Sequence, residues 1–218
     1  EDEHLRYLIR NYTHEAGVRQ LTLVLRTLFL RLHRRDILEP GADSVEITRA
    51  LIKRRLEEPR RPRSIHADDR VGEILGLGVD AERGVGEVIP IQATRIPGSA
   101  VESRTEDASA VSMVHATGNL EKVMDESRRV ATTGILHCAE TLDLDPRAIR
   151  TPVHLHFLGA STRKDGPSAG CAIALALTSL LTGRKVRRDV AVTGEIDTQG
   201  RVTGVGGVDI KLETAVEA

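Results

Sequence analysis

Aromatic residues make up only 2% of this 218-residue chain, and tryptophan is absent. A core with so few rings must be built from Leu, Val, Ile and Ala. The scarcity also argues against gripping single-stranded nucleic acid or sugars by stacking. Cysteine occurs twice, as Cys138 and Cys171, which is too few for a secreted disulfide scaffold. Both are read as free thiols in a reducing, cytoplasmic compartment. No apolar run approaches the length of a membrane span, so no membrane partner is expected. Neither sign of charge dominates: the formal net charge is −1, which excludes a molecule built throughout as a polyanion binder. The charge is uneven, however, with 14 Lys/Arg against 10 Asp/Glu in residues 1–64 and 17 against 22 in residues 65–218.

What is present divides in two. A short helix is predicted over 4–10 and a longer one from Glu15 to Arg35. In the longer helix Val18, Leu21, Val24, Leu25, Leu28 and Leu32 recur at steps of three and four and so share a face. Thr48 is a plausible N-cap for a helix reaching about Glu57. The run Pro59-Arg60-Arg61-Pro62-Arg63 then breaks the pattern, because two prolines among the arginines can neither continue a helix nor pair centrally in a sheet. This marks a linker over 59–69, between an all-α part (1–58) and a second domain (70–218). The linker arginines read as a solvated segment, with a polyanion contact as the minor alternative.

Beyond the linker the pattern is of short strands and helices. Val71–Val79 and Val88–Ile96 read as a hairpin around the turn residues 80–84, followed by a surface loop over 98–112 and a third strand at 113–116. A long helix is expected over 120–142, a strand over 153–157, an apolar helix over 169–182, a strand over 189–193, a hairpin or loop over 196–205 and a terminal helix from Val208. Strands and helices interleave without a βαβ rhythm, so the fold class is α+β. The chain starts at Glu1 without a Met, within helical sequence, and is read as a piece of something longer.

The chemistry concentrates in Lys164-Asp165-Gly166-Pro167-Ser168-Ala169-Gly170 and in Lys211, 43 residues after the serine. A serine ahead of an Ala-rich helix is an ordinary helix cap. The same context also suits a nucleophile: small neighbours admit substrate, and a glycine-rich turn at a helix N-terminus aims N–H groups at an oxyanion. Lys211, between Ile210 and Leu212, can serve as base if burial lowers its pKa. His154 and His156 share one strand face, but no third ligand has useful spacing, so no metal is assigned.

These residues carry a resemblance. The 164–170 motif, Thr193-Gly194-Glu195-Ile196, Gly200-Arg201-Val202 and Gly204-Val205-Gly206-Gly207 through Lys211 resemble the protease domain of the Lon family. Thr117–Leu120, Met124–Ser127 and Val153–His156 agree with it. Tyr12-Thr13-His14-Glu15-Ala16-Gly17-Val18-Arg19 resembles the helical lid of that family's AAA+ module. Two departures stand out: Phe157-Leu158-Gly159-Ala160 replaces the usual proline-glutamate-glycine-alanine, and Asp209 stands where lysine is usual.

The resemblance implies an ATP-dependent serine endopeptidase with a Ser168–Lys211 dyad that degrades unfolded or damaged polypeptides. Thr193 would orient the lysine. Asp165 would shape the serine loop and could close the site by pairing with lysine, with Gly166, Pro167 and Ala169 forming the loop around the nucleophile. Arg19 would sense nucleotide phosphate. It further implies a homo-oligomer, usually a hexamer, with ATP and Mg required by the whole protein but no cofactor for peptide cleavage. The family domain continues past Lys211 further than this chain does, so the protease domain is expected to be C-terminally incomplete. The sequence contains no G-x-x-x-x-G-K-[ST] run. A non-proteolytic oligomerisation or binding module that keeps the fold is the alternative.

Overall fold

A computed structural model describes residues 2–13, 18–33, 46–56, 68–80, 85–96, 110–145, 152–159 and 164–217. Residues 59–67 of the expected linker, 81–84 of the expected turn at 80–84, 98–109 of the expected loop over 98–112, and residues 14–17 lie outside these. The chain forms two compact units, residues 1–64 with 80–84, and residues 65–79 with 85–218.

The first unit contains α1 (Asp2–Tyr12), α2 (Arg19–His33) and α3 (Arg49–Arg55). Its core is aliphatic: Leu8, Leu28, Leu32, Ile52 and Leu56 are buried, with Leu21, Val24 and Leu25 packed against them. Thr48 caps α3 as its sequence position suggests, its hydroxyl accepting the Leu51 N–H at 3.2 Å.

The second unit is built on a five-stranded mixed sheet. In spatial order it runs β4 (Val114–Thr117), β5 (Val153–Phe157), β3 (Val85–Arg95), β2 (Glu73–Asp80) and β7 (Ala191–Val192). β5 runs antiparallel to β3 and parallel to β4, and β7 runs parallel to β2. β5 has the strict two-residue period of a half-covered strand: Val153, Leu155 and Phe157 are buried, while His154 and His156 point to the other face. On the covered face lie α4 (Lys122–His137) and α5 (Gly170–Thr182), with Ala131, Ile135, Ala172, Ile173, Ala176 and Leu177 joining the strand residues in one core. Two ribbons complete the unit: β1 (Arg70–Val71) with β6 (Lys185–Val186), and the hairpin β8 (Glu195–Ile196) with β9 (Val202–Thr203). The terminal helix is α6 (Val208–Glu217).

The strand expected over Val71–Val79 is interrupted at Gly72. Its φ is 74°, its N–H donates to the Ser179 hydroxyl at 2.8 Å, and a Cβ there would lie 2.4 Å from the Ala93 carbonyl oxygen. The chain therefore kinks, and β1 leaves the sheet to pair with β6. The helix expected over 120–142 is shorter at both ends. It stops at His137 because the chain turns at 138–143, where Asp143 takes a φ of 55° and the Leu144 N–H bonds back to the Ala139 carbonyl. The strand expected over 189–193 contracts to two residues, since Asp189 is drawn into a bidentate pair with Arg187.

Candidate active site

The KDGPSAG segment joins β5 to α5. Lys164, a residue only 3% exposed, anchors its start: its N–H donates to Asn119 O at 3.0 Å, its carbonyl accepts from Glu121 N–H at 3.0 Å, and its ammonium donates to Gly159 O. The next residue, Asp165, accepts the Met124 N–H at 3.1 Å through Oδ1. A carboxylate on an unpaired N–H in the first turn of α4 satisfies an orphan donor and sits favourably in the helix field. Gly166 then takes φ 111° and ψ 153°, a conformation reserved for glycine. It turns the chain into a single 3-10 turn, Pro167–Ala169, that leads into α5.

Ser168 sits in the middle of that turn. It does not cap α5, whose N-cap position is Ala169 with no side-chain bond. The Ser168 hydroxyl has no hydrogen-bond partner among the described residues, whereas its backbone is tightly held. The Ser168 carbonyl accepts from the Gly194 N–H at 2.9 Å and from the Thr193 hydroxyl at 3.4 Å. The Pro167 carbonyl accepts from the Ser127 hydroxyl at 3.2 Å, and the Cys171 N–H donates to Gly194 O at 3.0 Å. The serine is thus fixed through its main chain by α4 on one side and by the Thr193-Gly194 segment on the other. Its Oγ is left uncommitted.

Lys211 lies on α6 and is 3% exposed. Burial pushes its pKa below the usual lysine value, and desolvation is the sole cause. No carboxylate pairs with it among the described residues, and Asp165 is engaged instead with Met124 N–H. α6 approaches β3 closely because residue 86 is glycine. A Cβ at Gly86 would lie 2.0 Å from Thr214 Oγ1 and 3.0 Å from the Ile210 carbonyl oxygen. The burial of Lys211 therefore depends on a glycine far away in sequence.

Arg19 is the first residue of α2 and is exposed, with no acidic residue in that helix's first turn. A cation at a helix N-terminus opposes the dipole, a cost that an anionic ligand would reverse. His154 Nε2 and His156 Nδ1 lie 2.9 and 2.8 Å from the Thr117 hydroxyl, on the sheet face away from α4 and α5. Among the described residues no group of three or more His, Cys, Asp or Glu is placed to hold a metal. Both cysteines are free; Cys171 is buried, which raises its pKa by desolvation, and Cys138 ends α4.

Sequence reasoning did not find that Met124 and Ser127 hold the serine loop, or that Gly86 lies against α6. Ser127 was legible as part of one helix face, but nothing in the sequence shows that it meets Pro167, 40 residues away.

Comparison with known proteins accounts for both units. Residues 46–218 match the Lon protease (S16) C-terminal proteolytic domain, and residues 1–35 match the Lon protease AAA+ ATPase lid domain. A Lon protease of Azorhizobium caulinodans is 37% identical over 99% of this chain and 24% of its own length. Lon protease 1 of Myxococcus xanthus is 36% identical over 100% of this chain and 25% of its own length, and a Lon protease of Brucella suis is 36% identical over 99% and 25%. The chain belongs to the Lon protease family, and carries a serine peptidase domain of that family together with its AAA+ lid. It spans about a quarter of the length of the curated relatives it matches.

Proposed function

We propose that this chain is the lid and proteolytic part of an ATP-dependent serine endopeptidase that degrades unfolded or damaged polypeptides through a Ser168–Lys211 dyad. The observation that carries this reading is Lys211, a buried lysine with no partnering carboxylate among the described residues and a pKa pushed down by desolvation. An ammonium stripped of water is costly unless it is neutral for part of the time, and a neutral lysine is a base.

Neutral Lys211 takes the proton of the Ser168 hydroxyl as Oγ attacks the peptide carbonyl. N–H groups of the 3-10 turn and the α5 N-terminus stabilise the oxyanion. The lysine then returns the proton to the leaving amine, and water hydrolyses the acyl-serine ester. The Thr193 hydroxyl donates to the Ser168 carbonyl and keeps lone pairs free to accept from Lys211, which suits it to orient the lysine. Asp165 keeps the loop on α4, while Gly166, Pro167 and Ala169 shape the turn. The whole protein would work as a homo-oligomer, a hexamer by family likeness, in the cytoplasm. ATP with Mg would power delivery of substrate, and Arg19 suits a contact to phosphate.

The test is labelling of the chain with a fluorophosphonate or peptidyl boronate, read by intact mass, with Ser168→Ala and Lys211→Ala as controls. We expect one adduct on the native chain and none on Ser168→Ala. An adduct retained by Ser168→Ala would overturn the assignment. No adduct on the native chain or on the full-length parent with ATP would favour a scaffold.

A further inference from the structure

One cavity borders the serine turn directly. Its volume is about 230 Å³, below the range of small-molecule sites and suited to a single side chain. One wall is a face of α4, where Val123, Glu126 and Val130 recur at helical spacing. The other is formed by Pro167, immediately before Ser168, and by Glu195 and Ile196 of β8. The floor is fixed on both sides: the Ser127 hydroxyl ties α4 to Pro167 O, and the Gly194 N–H ties the β8 segment to Ser168 O. Gly170 lets these walls meet, since a Cβ there would lie 3.0 Å from both Ile196 Cγ2 and Ile196 N.

The chemistry of the lining is specific. Val123, Val130, Pro167 and Ile196 offer apolar surface, and among the described residues the only charged groups lining it are the two glutamates. Such a pocket suits a side chain with an apolar stem and a cationic tip, which buries its methylenes and leaves its charge beside carboxylates. Both arginines of the same helix, Arg128 and Arg129, are held by Asp125, at 2.8 and 3.0 Å. We propose that this cavity is a subsite for a lysine or arginine side chain of the polypeptide substrate, within a few residues of the scissile bond. This inference rests on the proteolytic reading of Ser168.

The experiment is cleavage-site profiling of a denatured, lysine-rich polypeptide by the full-length protease with ATP, read by mass spectrometry. Native enzyme is compared with Glu126→Gln, with Glu195→Gln and with the double variant. Lys or Arg should be enriched at one fixed position near the cut, and the double variant should lose that enrichment by about tenfold, with leucine-flanked sites cut as before. Glu126→Lys should reverse the preference toward Asp or Glu. An unchanged profile in variants that still cleave would overturn the proposal. So would a change in oligomeric state with an unchanged profile, which would assign the cavity to contact between subunits. If native enzyme and Ser168→Ala are alike inactive, the proteolytic reading itself fails.

Discussion

On the proposed function, Lys211 sets the pH dependence of cleavage, and the sign follows from its environment. Its folded pKa is depressed, so the unfolded chain binds the proton more readily, and the native state gains stability as pH rises toward the ordinary lysine value. At neutral pH the buried lysine is a liability. Lys211→Met should therefore raise stability at pH 7 by on the order of 1 kcal/mol, about 2–4 °C in Tm for a chain of this size. That advantage should shrink as the pH approaches the ordinary lysine range, and thermal melts across pH would check it. The same group predicts the rate profile: kcat/KM should rise with pH as Lys211 loses its proton, with a midpoint below that of free lysine. Loss of this ascending limb in a Lys211 variant that keeps residual activity would tie it to the residue.

At the scale of elements, two glycines set where the serine and lysine sit. Gly166 takes a conformation closed to other residues, yet a Cβ there would meet no heavy atom within 4 Å. Gly166→Ala should therefore act by backbone strain alone, costing about 1–3 kcal/mol and slowing Ser168 labelling while the rest of the fold survives. Circular dichroism with labelling kinetics would separate the two effects. Gly86 acts by close approach, since any side chain there presses on Thr214 and Ile210 of α6. Gly86→Val should lift α6 from β3 at a cost of about 1–3 kcal/mol and wet Lys211. The readout is a pH–labelling midpoint moved up toward free lysine, a shift that simple destabilisation would not produce.

At the scale of the whole chain, residues 1–35 match a lid domain of an ATPase and residues 46–218 a proteolytic domain. The sequence has no Walker-type phosphate loop, so this chain alone should release no phosphate from ATP. A phosphate-release assay above background that survives Arg19→Ala would contradict that expectation. In the full-length protein, Arg19→Ala should lower ATP-dependent proteolysis by on the order of 10-fold or more, with hydrolysis of short peptides far less affected.

Much of this molecule was legible in its residues. Periodicity gave the helical unit and its aliphatic core, Thr48 gave the start of α3, and the alternation in Val153–Phe157 gave a strand with its two histidines on one face. The serine motif and the distant lysine stood out as candidates because small residues and apolar flanks are local properties. The strand and helix ends were decided elsewhere. Gly72 breaks its strand because the Ala93 carbonyl and the Ser179 hydroxyl come to it from other elements. The supports of the site were equally hidden. Ser127 on Pro167, Asp165 on Met124 and Gly86 beneath α6 each join residues tens to more than a hundred positions apart. Sequence determined which groups could act, through their type and immediate neighbours. Tertiary structure alone decided which carbonyls were taken, which hydroxyl was left unbound and which ammonium lost its water, because hydrogen bonding and desolvation depend on what packs against a group in space.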